Sequence, residues 1–200
     1  RSALIVTGEN AGPIYKDTIK SLNEDTSSDV DYRQYLASLT LGSAAVAMIM
    51  THSSLSSSKH KLLAAVSQTD SESHRLCEGF GNIHHQSMRT NTGELMRRGL
   101  VLSSVTWELF KNEIRWENAT PDHVITHQIS KIHQQRVFDV LGLQHSKGVS
   151  IIEKHGNTGS AAAPLSLLEA SESIPFLSGQ RIAMLGIGSG LSTSMLAVQW

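Results

Sequence analysis

The second half of the chain alternates short apolar runs with helical patterns, and that alternation narrows the fold more than any other feature. Residues 123–126 ("HVIT") read as a strand, and 129–141 as a helix ended by Gly142. A strand at 148–152, a helix at about 159–170, a strand at 180–186 and a last strand at 191–199 complete the series. Strand–helix–strand–helix–strand–strand predicts a mixed sheet covered by helices, an α/β fold.

The first half is less regular. "ALIVTGE" (3–9) is an apolar run of the kind that makes a buried parallel strand. Because such a strand needs neighbours on both sides, its position directly after Arg1 and Ser2 raises the expectation that a segment before Arg1 is missing. A helix is expected over 11–24, a loop at "TSSDVD" (26–31) and a further helical turn in "YRQYLASL" (32–39). Residues 43–52 and 61–68 read as strands divided by the serine-rich "SSLSSSKH", and 71–91 as loop. The longest periodic segment, 92–115, places Leu95, Met96, Leu100, Val101, Trp107, Leu109 and Phe110 at helical spacing, with Gly99 as a candidate bend.

Bulk properties exclude several classes of function. A formal net charge of −1 over 200 residues, with the basic residues scattered, offers no cationic surface for nucleic acid. The longest apolar stretch, 43–50, is too short to span a bilayer. A single cysteine rules out an intramolecular disulfide and fits the reducing cytoplasm.

Three stretches could carry chemistry. His127 follows a strand and enters a helix, and in open α/β sheets ligands bind where strands end. A neutral imidazole there can donate to a developing oxyanion or act as a general base. The competing reading is a histidine that only caps the helix and bonds a backbone carbonyl. Asn157 lies 30 residues on, between Gly156 and Gly159, and its amide donates at every pH. A turn asparagine in the left-handed region is the alternative there. Third, "LGIGSGLSTSM" (185–195) has the spacing G-x-G-x-G, not that of a dinucleotide-binding turn, and suits a close backbone approach to a substrate carbonyl, with a main-chain N–H as donor.

Of the ten histidines, His74, His84 and His85 read as loop residues, and His123 with His127 lies on a strand without a ligand set, so no metal is expected. Cys77 is the sole thiol, in a polar irregular stretch that favours a structural role over a nucleophilic one.

Taken in order and spacing, "LTLGSAAVAMIM", "HQISKIH", "HGNTGSAAAP" and "GIGSGLSTSM" resemble the condensing enzymes of the thiolase superfamily. The likeness is to ketoacyl-ACP synthase III and, more strongly, to the OleA-type acyl-CoA condensing thiolases of olefin biosynthesis. Synthase III enzymes carry His-Gln-Ala-Asn where this chain has His127-Gln128-Ile129-Ser130, and a triple glycine where it has Gly188-Ser189-Gly190. The resemblance implies a layered thiolase-like fold, here the C-terminal portion. Residues 1–115 would be the end of the first repeat with a cap insertion, and 116–200 the second repeat.

The resemblance also implies a ping-pong Claisen condensation of acyl thioesters in a cytoplasmic homodimer. No cofactor would take part beyond acyl-CoA or acyl-carrier-protein substrates. His127 and Asn157 match the family's catalytic histidine and asparagine, and Ser189 N–H its loop amide, with Gly156, Gly159, Gly188 and Gly190 shaping the backbone around them. The family nucleophile and the OleA-type glutamate base match nothing in this sequence. The alternatives are a ketoacyl-ACP synthase III of fatty-acid synthesis, a non-catalytic partner subunit of a ketosynthase, or an acyl-thioester binding module without turnover. Ala161, Ala162, Ala163 and Ser166 would permit a wide acyl tunnel near Asn157.

Overall fold

In the computed structural model, residues 1–24, 32–82 and 86–200 are described. The loop expected at 26–31, and His84 and His85, lie outside them. The elements run β1 (Ser2–Glu9), α1 (Gly12–Glu24), α2 (Arg33–Leu39), β2 (Ala44–Thr51), β3 (Lys61–Thr69), β4 (Cys77–Gly81) and β5 (Gln86–Thr90). There follow α3 (Thr92–Ile114), β6 (His123–Thr126), α4 (Lys131–Leu141), β7 (Gly148–Val149), α5 (Ile152–His155), α6 (Ala162–Ser173), β8 (Arg181–Gly188) and β9 (Ser192–Gln199).

The expected mixed sheet is present, five strands in the order β3-β9-β8-β6-β7. β6 pairs in parallel with both β7 and β8, with Ile125 opposite Val149 and Met184. β9 runs antiparallel to β8 and to β3. Alternation along β6 serves two cores: Val124 packs with Trp107 and Phe110 of α3 and Phe138 and Leu141 of α4, while Ile125 faces Ala170 of α6. Burying both faces of the sheet is what makes its central strands continuous apolar runs.

β3 and α3 share this sheet and core with the elements after 116. Helix α3 runs unbroken through Gly99, which is buried; a Cβ there would meet the Ile187 side chain at 3.0 Å. The glycine makes room for β8 and bends nothing out of the helical assignment.

Three expectations need correction. "ALIVTGE" is not a buried parallel strand: β1 pairs antiparallel with β2, from Ser2↔Thr51 to Glu9↔Ala44, in a two-stranded sheet. Leu4 and Val6 are each 66% exposed and Ile49 77%. An apolar run reports that a strand suits burial, but strand direction depends on which strand pairs with it, and that is not a local property. Residues 71–81 and 86–90 are not loop. They form a 3-10 turn (71–76) and the β4–β5 hairpin, whose five-residue strands carry Gly79 and Gly81 and show no apolar alternation to read. Finally, β7 is two residues long, and the chain folds into the single turn α5 where a strand was expected to continue to 152.

Candidate active site

Because β7, β6 and β8 are adjacent and parallel, their C-terminal ends open on one edge of the sheet. The three stretches singled out in the sequence leave from those ends: Asn157 after β7 and α5, His127 after β6, and Ser189 after β8.

His127 extends the β6–β8 ladder by one bond, its N–H donating to Leu185 O at 2.8 Å. The following Gln128 is buried and ties this loop to the neighbouring one. Its amide donates to Thr126 O (2.9 Å) and Val149 O (3.2 Å), and its oxygen accepts from Ile151 N–H (3.2 Å). Helix α4 is capped by Ser130, whose hydroxyl accepts from His133 N–H at 3.1 Å. The capping role considered for His127 therefore belongs to Ser130, and the His127 ring bonds no described residue.

That ring lines a small, partly open cavity of about 20 Å³ together with Ser103, Thr126, His133, Leu185, Ile187 and others. Desolvation holds His127 well below its ordinary value, at about 4; the neighbouring His133 adds to the depression and Glu9 opposes it. Near neutral pH the ring is uncharged, able to donate through one nitrogen and accept through the other.

Asn157 is held from both sides by backbone. Its N–H donates to Thr40 O at 2.9 Å, its carbonyl accepts from Gly42 N–H at 2.8 Å, and the pair forms a bridge with Leu41. The approach is close enough to demand glycine. A Cβ on Gly42 would sit 1.8 Å from His155 O, and one on Gly156, at φ 69°, would lie 2.8 Å from Thr40 O. The positive φ angles fall on Gly156 and Gly159, not on Asn157, so the left-handed turn reading is not the one realised. The side chain does make one local bond: Oδ1 accepts from Gly159 N–H at 3.0 Å. With the oxygen occupied, the orientation leaves the Nδ2 amide as a donor with no partner among the described residues.

Ser160 continues this turn and meets a residue that the sequence reading passed over. Its N–H and hydroxyl donate to Glu9 Oε1 at 3.0 and 2.7 Å, and its hydroxyl also pairs with Thr7. Glu9 thus lies beside the Asn157 turn while its charge reaches His127. Its position as the first ionisable residue after an apolar strand and Gly8 was the available signal. His133, buried with an unbonded Nδ1, had none beyond its helical spacing from Ile129.

Gly188 closes β8 beside an exposed Ser189, and Gly190 takes φ 139°. The Ser189 N–H donates to no described residue, and a Cβ on Gly188 would meet nothing within 4 Å. This leaves an open approach to the backbone. Other sequence candidates lie elsewhere. Cys77 opens β4, half-buried, where its Sγ accepts from the Thr90 hydroxyl at 3.5 Å. His123, at the opposite end of β6, stacks on Phe176 (4.4 Å), and His74 bonds Ser71 O. Ala161, Ala162 and Ser166 are fully buried in packing around α6, with the Ser166 hydroxyl on Ala162 O. Among the described residues no three His, Cys, Asp or Glu side chains gather as metal ligands.

A histidine held neutral, an asparagine amide turned outward and a free loop N–H at one sheet edge make a set of uncharged donors suited to oxyanions.

Comparison with known proteins is consistent with that chemistry. Residues 112–200 match the family described as 3-oxoacyl-[acyl-carrier-protein] synthase III C terminal. The acyl-CoA:acyl-CoA alkyltransferase of Xanthomonas campestris is 33% identical over 198 residues, 99% of this chain and 57% of that protein. Its namesake from Shewanella oneidensis is 32% identical over 208 residues, 100% of this chain and 59% of the relative. A β-ketoacyl-[acyl-carrier-protein] synthase III from Synechocystis is 34% identical over 92 residues, 46% of this chain and 27% of its own length. Among solved structures, X. campestris OleA with bound lauric acid and lauroyl-CoA superposes with a TM-score of 0.91 at 34% identity, over 100% of this chain and 58% of that one. The chain thus spans less than three fifths of the length of these full-coverage relatives. Residues 112–200 are thus similar to the C-terminal region of synthase III, and over its whole length the chain has the thiolase-like fold of the OleA structures.

Proposed function

We propose that this chain carries the enolate-stabilising half of the active site of a condensing acyltransferase, which joins two acyl thioesters to a β-keto product. In the first half-reaction a cysteine thiolate takes an acyl group from its thioester and releases the free thiol. In the second, a base removes the α-proton of another acyl thioester. Its enolate carbon attacks the acyl-cysteine carbonyl, forming the new C–C bond and expelling the cysteine. His127 and Asn157 Nδ2 donate to the enolate oxygen, and Ser189 N–H donates to the oxyanion at the acyl-cysteine.

The observation that carries this reading is the Asn157 side chain: Gly159 N–H on its oxygen fixes the amide with the donor side unpaired. Cys77 is not taken as the nucleophile, since it lies in the β4–β5 pair and not on a loop that follows β6, β7 or β8. The reading therefore requires the nucleophilic cysteine and the α-proton base from residues outside this sequence, in a cytoplasmic homodimer. Acyl-CoA is favoured over carrier protein as the donor, because the acyl-CoA:acyl-CoA alkyltransferases align over 99% or more of the chain and the carrier-protein synthase over 46%.

The test is intact mass of the native protein before and after mixing with lauroyl-CoA, with products followed in parallel. A gain of one acyl group, release of CoA and a β-keto product bearing two chains support the reading. No adduct and no product, from CoA or carrier-protein thioesters alike, would assign the chain to a non-catalytic partner subunit.

A further inference from the structure

The partly open cavity beside His127 is lined by β6, β8, β9, α3 and α4, and its 20 Å³ or so is room for a single water. Its wall is unevenly polar. His133 is 5% exposed, and its Nδ1 is buried without a hydrogen bond, a rare condition for a native polar atom. The Thr126 hydroxyl accepts from Gln134 Nε2 at 3.2 Å, so its own proton is still available to a partner. The Ser103 hydroxyl and the His127 ring complete the polar lining, against Val137, Leu141 and Met195. Several polar groups around one water-sized space are what a structural water requires, whereas cavities that stay dry are apolar.

We infer that this cavity holds one ordered water that joins His133 to His127 and donates to the cavity-side nitrogen of the His127 ring. A nitrogen that accepts from this water cannot carry the proton, so the proton of the neutral ring sits on the opposite nitrogen, where a substrate oxygen can receive it. His133 is then a positioning residue: it never meets substrate, and it sets the tautomer of the residue that does. The inference rests on the condensing reading for its consequence and on geometry alone for the water.

The test joins two readouts on the full-length protein. A crystal structure resolving ordered solvent is expected to show one peak within hydrogen-bonding distance of His133 Nδ1, lost in His133→Phe. In single-turnover assays with lauroyl-CoA, His133→Phe is expected to lower the condensation rate about tenfold, the factor set by one misdirected hydrogen bond. Acyl-enzyme formation and KM should stay unchanged, and His133→Asn, which keeps a polar group at the cavity, should recover most of the rate. An empty cavity overturns the proposal, and so does a filled one whose loss leaves condensation at the wild-type rate. Should His133→Phe fail to fold, the wild-type solvent peak and His133→Asn decide. If the protein condenses nothing at all, the functional reading fails while the solvent peak still decides the water.

Discussion

The carboxylate of Glu9 accepts two hydrogen bonds from Ser160, one from its N–H at 3.0 Å and one from its hydroxyl at 2.7 Å. The end of the two-stranded sheet is thereby fastened to the turn that carries Asn157. Glu9→Ala releases that turn and removes the charge that opposes the depression of His127. Because Glu9 is solvent-exposed, the stability loss should be near 1 kcal/mol, while the rate of β-keto product formation falls several-fold. Thermal melts and single-turnover rates on the same variant separate the two effects. A rate equal to wild type would deny Glu9 any part in positioning.

Gly159 packs against this carboxylate. Its φ is 52°, and a Cβ would lie 2.7 Å from the Glu9 carboxylate carbon. Gly159→Ala combines left-handed strain of about 1 kcal/mol with displacement of Glu9. Its denaturation midpoint is expected to drop more than that of Glu9→Ala. The double variant should lose less than the sum of the two, since the clash disappears with the carboxylate.

Asn157→Asp is the sharper chemical probe. An aspartate oxygen still accepts from Gly159 N–H, so the turn survives and stability changes little. The donor at Nδ2 becomes a second acceptor aimed at a developing negative charge. Removing one oxyanion donor typically costs about 100-fold or more in rate. Condensation should fall by at least that factor while acylation by lauroyl-CoA proceeds. Equal loss in both half-reactions would show that Asn157 serves something other than the enolate.

The buried imidazoles predict a pH signature. Burial lowers both His127 and His133 from 6.5 to about 4. A depressed folded-state value means the unfolded chain binds protons first as pH falls. The stabilising contribution is therefore fully present above about 6.5 and is lost progressively between there and about 4. Each group adds a slope of up to about 1.4 kcal/mol per pH unit in that window. Urea midpoints should be flat from pH 8 to 7 and fall below 6.5, with a shallower fall in His133→Phe. The condensation rate should not titrate near 6.5, because His127 stays neutral through that range.

Much of the architecture was legible because it is local. The period-3.6 pattern of α3, the bounds of β6, and Gly142 ending α4 with φ 64° all follow from side-chain spacing and backbone preference within a few residues. What escaped was weak in pattern or non-local in cause. The β4–β5 hairpin has strands too short and glycine-rich to alternate. β1 has the composition of a buried strand, yet it pairs antiparallel with β2, some 40 residues later. Within the site, His127, Asn157 and the Ser189 loop could be picked out as polar groups or glycine turns following apolar strands. Glu9 could not be joined to them, because its bond to Ser160 crosses 151 positions.

Residue order alone established the strand–helix alternation, the glycines that frame Asn157, and the presence of His127 and Asn157 after apolar runs. It left open whether each polar group merely closes a turn. Tertiary structure decided that. Parallel pairing of β7, β6 and β8 brings three loops to one edge. Ser130 takes the cap considered for His127, and Gly159 N–H occupies Asn157 Oδ1 and leaves the amide donor without a partner among the described residues. Burial makes His127 neutral. Spacing encodes which conformations a segment favours. The charge state and aim of a side chain depend on desolvation and on hydrogen bonds from segments far away in the chain, and these exist only once the chain has folded.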